Sequence, residues 1–227
     1  MEQKEQTSKY LSWLLYIGIA SISLNVVKDI LVNDSWASWL QLLLNAGIVV
    51  CLYLLRPAGN NYRLSALARA LTLLLSTVAL AISTFLLPEL IAAPEKMQLF
   101  NLFTRASGIL MFPLSTLGLW LEYRAHGMLV SGRDIGFQRK WNNLFFLHLG
   151  AALFYSLGTY VAAYLQQLLQ WDIATTHGLV LAILNLPEKA AYLLYLLYLY
   201  RTIRLVRESI NTEETYGPYP CKMSDGY

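Results

Sequence analysis

The chain has 227 residues, of which 56% are hydrophobic and only 14% charged, against about 25% charged in an ordinary soluble domain, so most of its apolar surface needs lipid. The formal net charge is +3, but Lys and Arg are spread through short segments between apolar runs rather than gathered on one face, which excludes nucleic acid as a partner. The two cysteines, Cys51 and Cys221, form neither a disulfide framework nor a CxxC metal or redox pair.

Read from the N-terminus, apolar runs extend roughly over 10–32, 36–55, 64–92, 98–121, 141–169 and 178–200. A helix needs about 20 apolar residues to cross a bilayer, so these runs predict an all-α fold, a polytopic membrane protein whose bundle of six transmembrane helices occupies 1–207. The first run imitates a signal peptide, with Lys4 and Lys9 ahead of it and Gly18-Ile19-Ala20 as a cleavage-like site. It continues to Val32, too long for a typical signal core, which predicts a retained helix. The third and fifth runs exceed the usual span and should tilt or begin as interfacial helix. Beyond Arg207 the chain turns polar, with Gly217, Pro218 and Pro220, and 208–227 reads as a disordered cytoplasmic tail.

Orientation follows from the cations. Arg56, Arg63, Arg69, Arg124, Arg133, Arg139, Lys140, Arg201, Arg204 and Arg207 fall on the side that also holds Lys4 and Lys9, whereas the alternate connections carry Asp34, Glu95 and Asp172. Lys and Arg in short loops resist translocation, so both termini are expected in the cytoplasm and the protein in the cell membrane. Trp36, Trp39, Trp120, Tyr123, Trp141, Trp171 and Tyr200 sit at span ends, where aromatic belts meet headgroups.

No HExxH, GxSxG, phosphate-binding glycine loop or clustered Cys/His set occurs. The expectation is a non-enzyme, with no catalytic residue, metal site or cofactor. His126, His148 and His177 fall in a cytoplasmic loop, the fifth span and an outer loop, each alone.

Polar residues inside the spans concentrate toward the outer half. Ser21, Asn25 and Lys28 share one face of the first span, and Ser38, Gln41 and Asn45 one face of the second, by helical spacing. The fourth span offers Asn101 and Arg105; the sixth offers Asn185, Glu188, Tyr192 and Tyr195 on one stripe. Such groups are costly in lipid and should face the bundle interior. The candidate ligand-binding set is therefore Asn25, Lys28, Gln41, Asn45, Asn101, Arg105, Asn185, Glu188 and Tyr192. Pro187 should kink the sixth helix and turn Glu188 inward, and Arg105 and Glu188 are expected to pair across the membrane interior.

Two weaker signals complete the pass. Leu87-Pro88-Glu89 and Leu186-Pro187-Glu188 repeat a tripeptide, but at depths that do not fit an inverted repeat. Asn33-Asp34-Ser35 matches a glycosylation sequon close to the membrane.

Two functions fit. One is binding or transport of a small solute in a polar chamber in the outer half of the bundle; the other is a structural or regulatory membrane subunit whose polar residues only organise helices. The expected partners are the lipid bilayer, a small solute, and a protein at the basic cytoplasmic loop 124–141, whose cations also serve simply as topology signals.

Overall fold

The computed structural model describes residues 2–30, 35–86, 94–169 and 173–216; among these, the side chains of 27–30, 35, 94, 163, 165–169, 173–182 and 213–216 are not described. Within them the chain is all helical. The helices are α1 (Glu2–Ile30), α2 (Ser35–Leu54), α3 (Asn60–Ala81), α4 (Pro94–Val130), α5 (Ile135–Leu169) and α6 (Ile173–Tyr216). A 3-10 turn at Arg56–Ala58 joins α2 to α3, and a π turn at Ile82–Leu86 prolongs α3.

Four stretches, Trp36–Leu54, Asn60–Leu86, Glu95–Val130 and Ile135–Ala162, are long and apolar enough to cross a membrane. Only 11 to 22% of the residues in their most apolar windows are buried. The rest face outward: Ile109, Phe146 and Leu157 are 74%, 67% and 65% exposed. Exposed to water, contiguous apolar faces of this extent would drive association; hydrocarbon removes that liability.

Each helix packs on its neighbours in sequence, and α1 packs on α6, so the six close into a ring, with α4 also touching α6 across it. Small residues allow the closest approaches. A Cβ at Gly18 would meet Leu196 at 2.7 Å, one at Gly158 would meet Leu184 at 2.5 Å, and one at Gly118 would meet the Arg69 side chain at 3.1 Å, the use of glycine expected between membrane helices.

One end of the ring gathers the start of α1, the 55–59 turn, the 131–134 turn and the last part of α6. The Gln3 amide donates to the Pro57 carbonyl at 2.8 Å, Arg133 donates to the Leu205 carbonyl at 2.6 Å, and Arg207 donates to Ser8 and Ser12, each at 3.1 Å. Arg201 pairs with Asp134 at 3.0 Å. This is the basic end. Asp34, Asp172 and the Leu87-Pro88-Glu89 repeat lie outside the described residues.

The helices overrun the boundaries drawn from hydropathy. The connection expected over 124–141 is helix on both sides of a turn at 131–134, because inward residues continue at helical spacing: Glu122, His126 and Val130 on α4, and Phe137, Trp141 and Leu144 on α5, are all buried. Asp134 caps α5, its carboxylate accepting the Phe137 N–H at 2.8 Å, the usual role of Asp at a helix start. Likewise α6 runs through 208–216, where a disordered tail was expected to begin. Ser209 and Ile210 are buried, so the helix has packing to hold it there, and Arg204 pairs with Glu208 at 2.8 Å one turn apart. Charge content lowers a hydropathy average without interrupting a helix.

Candidate functional site

Four of the sequence candidates meet. Asn25 from α1 and Asn185, Glu188 and Tyr192 from α6 line one open chamber of about 270 Å³, together with Ile22, Lys189 and, from α5, His148 and Tyr155. Helical spacing explains the set. Ile22 and Asn25, His148 and Tyr155, and Asn185, Glu188 and Tyr192 recur at three, four or seven residues on their helices, so each helix brings one stripe to the chamber, with Asn25 at its exposed edge. Glu188 is half-buried and follows Pro187, which sits inside α6 and denies the Ile183 carbonyl its helical donor.

The other candidates lie elsewhere. Gln41 donates from α2 to Ser21 of α1 at 2.6 Å and to Asn45 at 3.3 Å, a polar clasp between the two helices one turn along α1 from Asn25. Asn101 and Arg105 are exposed on α4. The expected Arg105–Glu188 pair does not form: no ion pair of Arg105 occurs among the described residues. Arg105 and Glu188 share an estimated depth, but α4 turns Arg105 outward while Glu188 faces α1 and α5. The side chain of Lys28 lies outside the described residues.

Between the chamber and the basic end lies a layer that sequence reasoning missed. Glu122 of α4, 1% exposed, takes Arg69 of α3 at 2.5 Å and accepts the Tyr195 hydroxyl of α6 at 2.6 Å. His126, one turn on, faces the same carboxylate at 3.7 Å through Nε2, while its Nδ1 shares a hydrogen bond with the Tyr62 hydroxyl at 2.8 Å. Tyr123 reaches His148 of the chamber at 3.0 Å and stacks on Tyr195 with ring centroids 5.4 Å apart. Trp141 covers His126 at 4.8 Å and donates to Thr202 at 3.2 Å. Gly118 sets up the ion pair: without a Cβ, α4 comes close enough for Ser65 to donate to the Gly118 carbonyl at 2.7 Å and for Arg69 to reach Glu122 one turn further on.

The layer is incompletely satisfied. Arg69 Nε, Glu122 Oε2 and His126 Nε2 are buried without an aligned hydrogen-bond partner, so the Arg69–Glu122 contact is held by charge rather than by directed bonding. A buried polar group with no partner costs roughly 1–3 kcal/mol; here the attraction between Arg69 and Glu122 offsets much of that cost.

Below this layer, at the basic end, Gln3, Thr7, Arg133, Leu205 and Ser209 line a second cavity of about 340 Å³. Along α6 the order is therefore chamber (Asn185 to Tyr192), charged aromatic layer (Tyr195 to Thr202), basic-end cavity (Leu205 to Ser209). From Tyr192 to Val206 the helix rises about 21 Å.

One signal in the sequence pointed to the layer. Ser65 and Arg69 on the third run, and Gly118, Glu122 and His126 at and past the end of the fourth, repeat at four residues. Arg69 counts there as a topology cation and Glu122 lies just past the fourth apolar run, so neither stands out until α3 and α4 are seen side by side. Known protein families, curated proteins and solved structures were all compared with this chain, and none matches it.

Proposed function

We propose that this chain is a six-span protein of the cell membrane, with both termini in the cytoplasm, that binds a small polar solute in the α1–α5–α6 chamber and transports it rather than transforming it. The observation that carries the reading is the convergence of Asn25, His148, Tyr155, Asn185, Glu188, Lys189 and Tyr192 from three helices on one open cavity. Ionisable groups between membrane-spanning helices are expensive and by default point to function. The collection of Lys4, Lys9, Arg133, Arg139, Lys140, Arg201 and Arg207 toward one end supports the orientation.

In this reading the charged layer is the barrier between the chamber and the basic-end cavity. A shift of α3 and α4 against α6 that separates Tyr195 from Glu122 would open the layer to water. Alternating access by rigid movement of helices around a fixed site is the usual mechanism of such proteins.

The deciding experiment is thermal stability of the purified chain in one detergent against amino acids, organic acids, polyamines and sugars. One chemical class should raise Tm for the wild type and lose that effect in Glu188→Gln and Asn185→Leu. A panel that stabilises wild type and both variants alike would overturn the reading. The Gln41–Ser21–Asn45 clasp, whose hydrogen bonds are spent on packing, favours the second reading, a structural or regulatory subunit; reproducible co-purification of one protein partner, with no solute effect, would establish it.

A further inference from the structure

A groove of about 630 Å³ runs between α4 and α5 on the outer surface of the ring at the basic end, separate from the chamber. Ser131, Gln138 and Asn142 line its polar end, Trp120 and Phe146 its apolar end, and Arg124 lies between. From Ser131 to Trp120 the helix rises about 16 Å. Both walls belong to helices apolar enough to cross a membrane, so the groove opens toward the bilayer, with Leu117 and Leu147 exposed beyond its apolar end.

Arg124 has no carboxylate partner among the described residues; its guanidinium lies 5.2 Å from the Trp120 ring centroid. Arg139, one turn before Asn142, is exposed and likewise unpaired. Cations without counter-ions, amide donors beside them and an apolar exit toward the membrane core match a headgroup phosphate followed by acyl chains. Basic pockets between spanning helices on the cytoplasmic side take anionic lipid headgroups for this reason.

We infer that this groove is a binding site for an anionic glycerophospholipid, its phosphate held by Arg124 with Gln138 and Asn142 and its acyl chains leaving past Trp120 and Phe146. The geometry favours a lipid over a protein loop because the apolar end of the groove merges with the outward faces of α4 and α5. Nothing here depends on the chamber, so the two readings stand or fall separately.

The test uses the full chain, delipidated in a neutral detergent and titrated with dioleoyl phosphatidylglycerol, dioleoyl phosphatidylcholine or glycerol 3-phosphate. Bound lipid is counted by native mass spectrometry and Tm is followed in parallel. Phosphatidylglycerol should bind and raise Tm, with phosphatidylcholine weaker and glycerol 3-phosphate inactive. A cation near a headgroup contributes enough for Arg124→Gln to weaken phosphatidylglycerol binding about fivefold. Asn142→Leu, a change at an exposed position, should weaken it too, and Arg204→Gln, an exposed cation paired with Glu208, should leave it intact. Equal binding of both lipids, stabilisation by glycerol 3-phosphate alone, or full phosphatidylglycerol affinity in Arg124→Gln and Asn142→Leu would overturn the assignment. Loss of affinity in Arg204→Gln equal to that in Arg124→Gln would reduce it to general surface charge.

Discussion

Glu122 shows how much one residue can organise. Its carboxylate draws Arg69, Tyr195 and His126 from three helices into contact range, and its burial makes each partner matter, because an unpaired charge in a low-dielectric site is costly. Glu122→Gln should lower stability by about 3 kcal/mol, the low end of the range for breaking a buried pair, since Arg69 is 28% exposed and water screens part of the loss. Arg69→Gln should cost a similar amount. The double variant should lose less than the sum, with a coupling of about 1–3 kcal/mol in a double-mutant cycle read from unfolding in one detergent. Strictly additive losses would mean that the two charges act independently. Trp141 is fully buried beside this group; Trp141→Ala should cost about 3–5 kcal/mol by opening a cavity, whereas Trp141→Phe should lose mainly the Thr202 hydrogen bond, about 1 kcal/mol. Equal losses from the two variants would place the value of Trp141 in its hydrogen bond instead of its volume.

At the scale of elements, the α3–α4 contact depends on Gly118. A valine there would drive its methyl groups into Arg69 and Ala68, forcing the helices apart and pulling Ser65 and Arg69 from their partners. The expected loss is about 1–3 kcal/mol, as for overpacking in a close-packed core. Gly108 and Gly150 have open space where a side chain would go, so alanine at either should leave stability unchanged or raise it by up to about 1 kcal/mol from helix propensity. A thermal-melt series of Gly118→Val, Gly108→Ala and Gly150→Ala in the same detergent tests the contrast; comparable destabilisation in all three would show that the effect is general helix strain.

For the molecule as a whole, the ring and the gathering of cations at one end make topology the natural measurement. In a background with Cys51 and Cys221 replaced by alanine and serine, a membrane-impermeant thiol reagent applied to intact cells should label a cysteine at position 95 and leave one at 139 unlabelled until the membrane is opened. Both positions are exposed, so access is set by the membrane and not by packing. The reverse pattern would invert the protein, and labelling of both from outside would remove the six-span reading.

The sequence by itself determined that the chain is helical and apolar, and where its inward polar stripes begin on the first and last helices. Helical spacing and mean hydropathy are local properties, which is why Asn25, Asn185, Glu188 and Tyr192 stand among the nine candidates read from the sequence, but nothing local separates them from Gln41, Asn45, Asn101 and Arg105, which lie elsewhere. Helix ends escaped the same reasoning: Glu122, Arg124, His126 and the stretch from Glu208 lower a hydropathy average, yet their helices continue because inward residues keep finding neighbours. Partnership across helices was decided only by the tertiary structure. Depth along a helix can be estimated by counting residues, but the rotation of each helix about its axis is set by packing against two neighbours at once. That rotation turned Arg105 outward, away from Glu188, and brought Arg69, Glu122, His126 and Tyr195 together at the centre of the ring.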